Sequence, residues 1–459
     1  ADNPNIRNGF AARGLNVSTT GTPRTRALFS PRLGVNWDVR GNQTLQLRAN
    51  AGIYAGQPPY LLLSNAYGNT GRGLAILNCS GAATPDFTLN VDALPRACRG
   101  QAPPVEGAAG TAGVNLTDPD FRFPQRFVST AGLDYRLPGD VVFSLEGIYG
   151  RDINGIRVRD LNILGPRIVG GQPYVTNTGR LLYSDTNRAT NGSVPVTDAT
   201  GQRAIVTNGT PPVALAEGAI YLTNQSRAYN YSFTPQLRKR FSEALDLTAA
   251  YTYTRAYEIQ SFTSDRAISI WRNGREYAGR EDADDLTTST YELRHRVQLY
   301  GTYTAPWKRL PTDLSFEYIG NTGAPITFTA QGDLNGDGFN NNDPIYVPRN
   351  ATDASEIRIG RVVNNQFQLD PALAQRFENF ISSLDCLDEQ RGRIFTRNTC
   401  RNPWQNLFNV SVRQTLPEVR GQRFTAQLDI FNVLNFLNED WGVNRGSILS
   451  GFPQQQVLI

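Results

Sequence analysis

At 459 residues the chain is long enough for one very large domain or about three ordinary ones. Lys and Arg (45) nearly balance Asp and Glu (41), and with a net charge of only +4 and no long basic run, nucleic acid is a poor partner. Hydrophobic content is 39%, and no window holds roughly 18 consecutive apolar residues, which excludes a transmembrane helix but not a transmembrane β-barrel, whose signal is weak alternation.

The first element, "RLGVNWDVRGNQTLQLRANAGIY" (32–54), alternates strictly. Leu33, Val35, Trp37 and Val39 share one face, and Asn36, Asp38 and Arg40 the other. After Gly41-Asn42, Leu45, Leu47, Ala49, Ala51 and Ile53 alternate with Gln46, Arg48 and Asn50. Side chains of a strand point to opposite faces with period two, so this predicts a hairpin with one apolar and one wet face, turning on Gly41-Asn42.

The pattern recurs. Phe127, Ala131, Leu133 and Tyr135, then a Pro138-Gly139 turn and Phe143, Leu145 and Tyr149, predict a second hairpin, its register slipping near Val128 and Ser129. "YNYSFTPQLRKRFSEALDLTAAYTYTRAY" predicts a third around Ser242 to Leu245. Val297, Leu299, Gly301 and Tyr303 with Leu314, Phe316 and Tyr318 give a fourth. Phe408, Val410 and Val412 with Phe424, Ala426, Leu428 and Ile430 give a fifth.

Strands of about nine to twelve residues are what a tilted strand needs to cross a bilayer. The segments between hairpins, about 55–125, 151–228, 258–293, 321–403 and 433–453, are long and rich in Gly, Asn, Thr and Asp. Tight turns on one side and long loops on the other are the layout of an outer-membrane barrel; a soluble sandwich has shorter strands and more even connections. Trp37, Tyr54, Tyr149, Tyr251, Trp307 and Trp404 lie near strand ends, where an aromatic girdle belongs. Within the fourth long segment, "DPALAQRFENFISSL" predicts a helix capped by Asp370, with Pro371 first and Leu373, Phe377, Phe380, Ile381 and Leu384 on one face.

The four cysteines fall as two local pairs, Cys79/Cys98 and Cys386/Cys400, without CxxC spacing and with a single His in the chain. Two disulfides within outer loops in an oxidising compartment fit better than a zinc site. "DLNGDGFNNND" carries calcium-loop chemistry: Asp333, Asn335 and Asp337 at positions 1, 3 and 5, Gly338 for the sharp turn, and the Phe339 carbonyl next. Its end departs from that pattern, because Asp343 comes one residue early with too short a side chain, and Pro344 follows. The bland alternative is an Asx-rich turn without an ion. A bound Ca2+ would stiffen the loop that also carries the helix and Cys386/Cys400.

His295, the sole histidine, reads as a hydrogen-bonded rim residue. No P-loop, GxGxxG, HExxH or nucleophile elbow occurs, and Glu281-Asp282 and Asp284-Asp285 read as solvated charge, so no enzyme is expected. The polar series Asn36, Asp38, Gln46, Arg48, Asn50, Arg238, Arg240, Arg296, Gln298, Glu317, Gln427 and Asp429 would line a lumen and meet a plug or a solute; no substrate residue is assigned.

"FSPRLGVNWDV", "GDLNGDGFNNNDPIYVPRNATDASEI", "RGRIFTRNTCRNPWQN" and "LDIFNVLNFLN" resemble the C-terminal barrel of Oar-like TonB-dependent receptors, from about Ser30 onward. The acidic Asn/Asp-Gly loop and Phe431-Asn432-Val433-Leu434-Asn435 are the most specific parts. The resemblance implies a 22-stranded outer-membrane barrel of a diderm bacterium, plugged by an N-terminal domain and energised through a TonB box. Neither plug nor TonB box is found in these residues, so energised import is implied by the family alone.

The expected architecture is all-β: an antiparallel transmembrane β-barrel, its C-terminal part of about eleven strands out of 22, with long extracellular loops and one short loop helix. Residues 1–31 are read as an extracellular loop or incoming segment and 32–459 as the C-terminal barrel half, with "PQQQVLI" from Pro453 opening an eleventh strand. A chain without Met is expected to be processed or truncated, any signal peptide gone. Expected partners are outer-membrane lipid, a missing N-terminal barrel half and plug from the same gene or a second chain, and the TonB system through that plug. The expected function is import of a bulky nutrient, the extracellular loops capturing ligand. A non-transporting surface scaffold or adhesin is the rival, and a soluble secreted β-sandwich enzyme a distant third.

Overall fold

The computed structural model describes residues 3–439 and 441, apart from 12–13, 71–78, 104–113, 162, 164–165, 167, 184–217, 275–278, 280–282, 306, 308–309, 331, 338, 340–341 and 365. The five hairpins form. Ten strands, β1 (Arg32–Asp38), β2 (Leu45–Ala55), β3 (Gln125–Leu137), β4 (Val141–Asp152), β5 (Tyr229–Arg240), β6 (Leu245–Glu258), β7 (His295–Ala305), β8 (Thr312–Asn321), β9 (Gln405–Thr415) and β10 (Thr425–Ile430), pair in chain order as one antiparallel meander. A two-residue strand, Thr287–Thr288, adds to β6 and makes the sheet 11-stranded. Its place is beside β6; the segment from Pro453 expected to supply an eleventh strand lies outside the described residues. Among the described residues β1 and β10 do not pair with each other, so the sheet is open.

The register sorts side chains as the alternation requires. Leu33 faces Ala51, Leu47 faces Leu133, Phe233 faces Tyr253, Leu299 faces Tyr318 and Val410 faces Ile430, which puts the apolar series of all five hairpins on one continuous face. The expected slip at Val128–Ser129 is absent. Pairing with Gly52 and Ala51 on one side and Gly150 and Tyr149 on the other holds β3 in phase, and the small Ser129 is carried on the apolar face. No helix among the described residues is long and apolar enough to cross a membrane. Crossing is left to strands, eight of which have 10 to 14 residues, enough for a span that needs about 9–11.

The first turn is longer than the sequence suggests. Positive φ falls on Gly41 (69°) and Gln43 (59°), not on Asn42. The Asp38 carboxylate accepts from Arg40 N (3.3 Å) and Gln43 N (2.8 Å), and Asn42 Oδ1 accepts from Thr44 N at 3.1 Å. These local side-chain bonds favour a wider loop over a two-residue turn. The second turn has positive φ at Gly139 and Asp140.

Opposite the tight turns, the long segments build a folded head. One core is made by 326–400 alone, with Phe328, Val347, Ile381, Leu387 and Phe395 at its centre. A second draws Leu62, Phe121, Val158, Leu222, Ile270, Trp271 and Phe339 from several loops. A third packs Ile6 and Phe10 of helix α1 (Pro4–Ala11) against Val114, Leu116 and Ala219. The helix expected after Asp370 is present at Pro371–Ser382, with the Asp370 carboxylate accepting from Leu373 N at 2.9 Å. All five of its expected apolar residues join the first core.

Candidate functional site

The wet face of the sheet carries ion pairs and a hydrogen bond between neighbouring strands. Arg48 meets Asp134 at 3.0 Å, Arg126 meets Asp152 at 3.3 Å, Arg238 meets Asp246 at 3.0 Å, and Asn409 donates to Glu317 at 3.1 Å. Each pair joins neighbouring strands on the face opposite the apolar series. At its loop end a cavity of about 240 Å³ opens between Arg126, Asp152, Arg157, Asn230, Glu258 and Gln260. Gln260 accepts from Val158 N at 3.0 Å through Oε1, while its buried Nε2 has no hydrogen-bond partner among the described residues. That volume is below the usual 300–1,000 Å³ of a drug-sized pocket, so the cavity suits one small polar group, not a bulky solute.

The acidic Asn/Asp-Gly loop is among the most buried polar structures of the head. Asp333, Asn335, Asp337 and Asp343 are all at most 6% exposed. Asp333 Oδ1 accepts from Gly336 N (2.6 Å) and Asp337 N (3.2 Å), Asn335 Oδ1 from Asp337 N (2.9 Å), and Asp337 Oδ1 from Phe339 N (2.8 Å). Three of the expected ligand side chains therefore share one tight Asx turn, and Phe339 follows with its ring in the second core. Asp343 behaves differently. Its Oδ2 accepts from Leu334 N at 2.7 Å, and its Oδ1 meets Arg180 at 2.8 Å, the two side chains 0% and 1% exposed. Burial pushes the Asp343 carboxyl above its ordinary range, and the Arg180 guanidinium pulls the other way. Arg180 lies 163 positions before Asp343, and no local signal marks it. Asn342, beside them, donates to Asp337 Oδ2 at 2.7 Å, yet its buried Oδ1 has no hydrogen-bond partner among the described residues. Among the described residues no group of three or more His, Cys, Asp or Glu side chains is placed to hold a metal.

Cys79 joins Cys98 and Cys386 joins Cys400, each bridge within one loop segment. The second ties helix Asp385–Asp388 to the strand Cys400–Arg401. From the same region Arg397, 3% exposed, reaches into the neighbouring loop and donates to Ser261 Oγ (2.6 Å), Thr287 Oγ1 (3.0 Å) and Gly274 O (3.1 Å). His295 stands at the start of β7 with Nδ1 2.6 Å from the Tyr251 hydroxyl, among aromatic neighbours.

Two sequence expectations change here. Tyr54 falls on the wet face, opposite Arg126 and beneath the Arg32 guanidinium (4.4 Å), because it is one residue out of phase with Ile53. It is not part of a girdle. Asp284 is not free solvated charge: it pairs with Arg157, whose side chain is 6% exposed. Glu281 and Asp282 lie outside the described residues. Trp37, Tyr149 and Tyr251 stand on the apolar face, and Trp404 packs over Gly320 there.

An antiparallel meander with one continuous apolar face, one charge-paired face and ordered loops at a single end defines an outer-membrane barrel protein. The model of the outer membrane beta barrel domain family matches residues 3–440, and the chain belongs to that family. Its place is the bacterial outer membrane. No curated protein matches it. Among solved structures, the chain is similar to a variant of the ferric enterobactin receptor PfeA from Pseudomonas aeruginosa at 10% identity and a TM-score of 0.37, covering 88% of this chain and 34% of that one. It is also similar to the outer membrane transporter YddB from Escherichia coli at 11% identity and a TM-score of 0.41, covering 88% and 37%. The chain thus spans about a third of the length of the structures it matches.

Proposed function

We propose that this chain is the barrel portion of a TonB-dependent importer of the Oar-like type, its loop end extracellular, where the head captures a bulky nutrient that then passes along the charge-paired face. The observation that carries this reading is the asymmetry of the sheet: tight turns at one end, and at the other a folded head with three cores and two disulfides. It binds and passes a solute and is not an enzyme. Among the described residues the outer edges of β1 and β10 have no partner strand, which supports the same reading, because each unsatisfied backbone group in lipid costs several kcal/mol. Further strands and a plug, from the same gene or a second chain, would satisfy them, and the plug would engage the TonB system.

The test is accumulation of labelled ferric chelates, cobalamin, oligosaccharides and peptides by cells lacking the gene and by cells lacking TonB. The reading expects one solute class to fall to the same level in both strains. Unchanged uptake of every class, with loss of surface attachment, would favour the scaffold or adhesin instead.

For the acidic loop we infer a structural Ca2+, held by Asp333, Asn335, Asp337 and the Phe339 carbonyl, with Asp343 closing the loop through Arg180. The unpartnered Asn342 Oδ1 favours it: with its amide turned over, this oxygen would meet a cation beside Asp337. Chelator should then raise protease cutting between Gly332 and Arg401 while the strands stay intact. Equal cutting with chelator and with millimolar calcium would remove the ion from the picture.

A further inference from the structure

On the apolar face of the ten strands there is no carboxylate, and its lysine and arginine side chains lie only at strand ends: Lys239 at the turn end, Arg151 and Arg255 at the loop end. Ten residues separate Leu245 from Arg255 and Val141 from Arg151. At ~3.3 Å per residue and a tilt of ~40°, both arginines stand about 25 Å above the turn end, the height of an outer-membrane apolar band. They are at the level of lipid headgroups.

Aromatic side chains frame them. Tyr229 pairs with Arg151 on one side and Tyr257 on the other, and the two tyrosine rings stack at 5.0 Å. The Arg255 guanidinium lies 5.0 Å from the Tyr257 centroid. Behind it, Glu292, with a side chain 0% exposed, receives Arg255 at 3.2 Å, Arg294 at 3.2 Å and Arg401. Three guanidiniums converge on one carboxylate, leaving a local excess of positive charge. Burial, and after it the neighbouring Arg294, hold the Arg401 guanidinium below its ordinary pKa. Arg294 engages Glu292 through Nε alone, and its terminal nitrogens have no hydrogen-bond partner among the described residues. The nearest carboxylates on the opposite face are already taken, Asp152 by Arg126 and Glu258 by Arg397.

We propose that this rim is a lipid site: Arg151 and Arg255, backed by Arg294 and Arg401, bind the phosphate groups of an outer-leaflet glycolipid, whose acyl chains lie along Tyr149, Tyr231 and the apolar residues below. Guanidinium and phosphate match in charge and in forked geometry, and the aromatic rings belong at the same depth. The proposal rests on the loop end being extracellular. Binding in detergent does not depend on that orientation, which the labelling described below tests separately.

The full protein, purified in dodecyl maltoside, is titrated with diphosphoryl lipid A, with phosphatidylcholine and with inorganic phosphate, and bound lipid is counted by native mass spectrometry. Lipid A should bind at least tenfold more tightly than phosphatidylcholine, and millimolar inorganic phosphate should not displace it. Arg151→Gln, which disturbs no buried group, should weaken lipid A about tenfold. Arg255→Lys keeps a charge against Glu292 but loses the fork and should act in the same direction, while Lys239→Gln at the far end of the face should change nothing. Wild-type affinity in both arginine variants, equal binding of phosphatidylcholine, or full displacement by inorganic phosphate would overturn the proposal.

Discussion

Replacing Arg180 by Ala removes the partner of a carboxylate with 0% exposure and leaves Asp343 with only the backbone amides of Leu334 and Asn335. Breaking a buried pair from one side costs about 3–5 kcal/mol, because the remaining charge stays desolvated. The loss falls on the head, since Arg180 also donates to Pro344 O and Tyr183 N donates to Asn335 O at 2.7 Å, while among the described residues no strand of the main sheet is hydrogen-bonded to this pair. At 1.4 kcal/mol per factor of ten, amide-exchange protection over 333–347 should fall by roughly two to three and a half orders of magnitude, with β5 to β8 unchanged. The double variant Arg180→Leu with Asp343→Asn should recover much of the loss, because no uncompensated charge is left buried. If Arg180→Ala lowers protection less than tenfold, or if the double variant is no better, the pair does not hold the loop.

Two more outcomes follow from faces and charges. Ala249 and Ala250 are neighbours in β6 on opposite faces, so Ala249→Arg at the middle of the apolar face should cost ~2–4 kcal/mol in bilayer refolding and Ala250→Arg far less; equal penalties would mean the apolar face is not the lipid face. In the head, the Asp370 carboxyl is held low by the Leu373 amide, then by Arg361; for Glu378, burial raises the pKa, but Arg391 and the Ala351 amide outweigh it; for Glu356, burial is likewise outweighed by the Arg349 amide and the Tyr346 hydroxyl. Folded values below unfolded ones give stability that is complete above the unfolded pKa of about 4 and lost as pH falls through the depressed values, Asp343 working in the opposite sense. Protection over 346–391 should hold from pH 8 to about 5 and decline below about 4, and a decline between pH 8 and 6 would show that other groups govern the head.

The strands were legible because period-two alternation is local: Leu245 to Tyr253 name their face without reference to any other segment. The Asp370 cap was legible for the same reason, its bond to Leu373 spanning three residues. The cysteine pairing followed from short separations, 19 and 14 residues. What escaped depends on distant partners or on phase. Arg180 and Asp343 meet across 163 positions, Arg157 finds Asp284 in a different long segment beyond β5 and β6, and the second core gathers Leu62, Phe121, Ile270 and Phe339 from segments that share no pattern. Tyr54 was misplaced by one residue of phase, which in a strand is a change of face. The arginine rim was visible as residue types at 151 and 255, but its depth follows only from the register.

The most direct test of an outer-membrane barrel with its head outside is cysteine labelling in intact cells, since all four native cysteines are bridged. Ala354→Cys lies exposed on the head, and Glu243→Cys lies exposed in the tight turn between β5 and β6. A membrane-impermeant maleimide should modify Ala354→Cys in intact cells and Glu243→Cys only after the outer membrane is opened. Labelling of both positions without permeabilisation, or of Glu243→Cys alone, would contradict it.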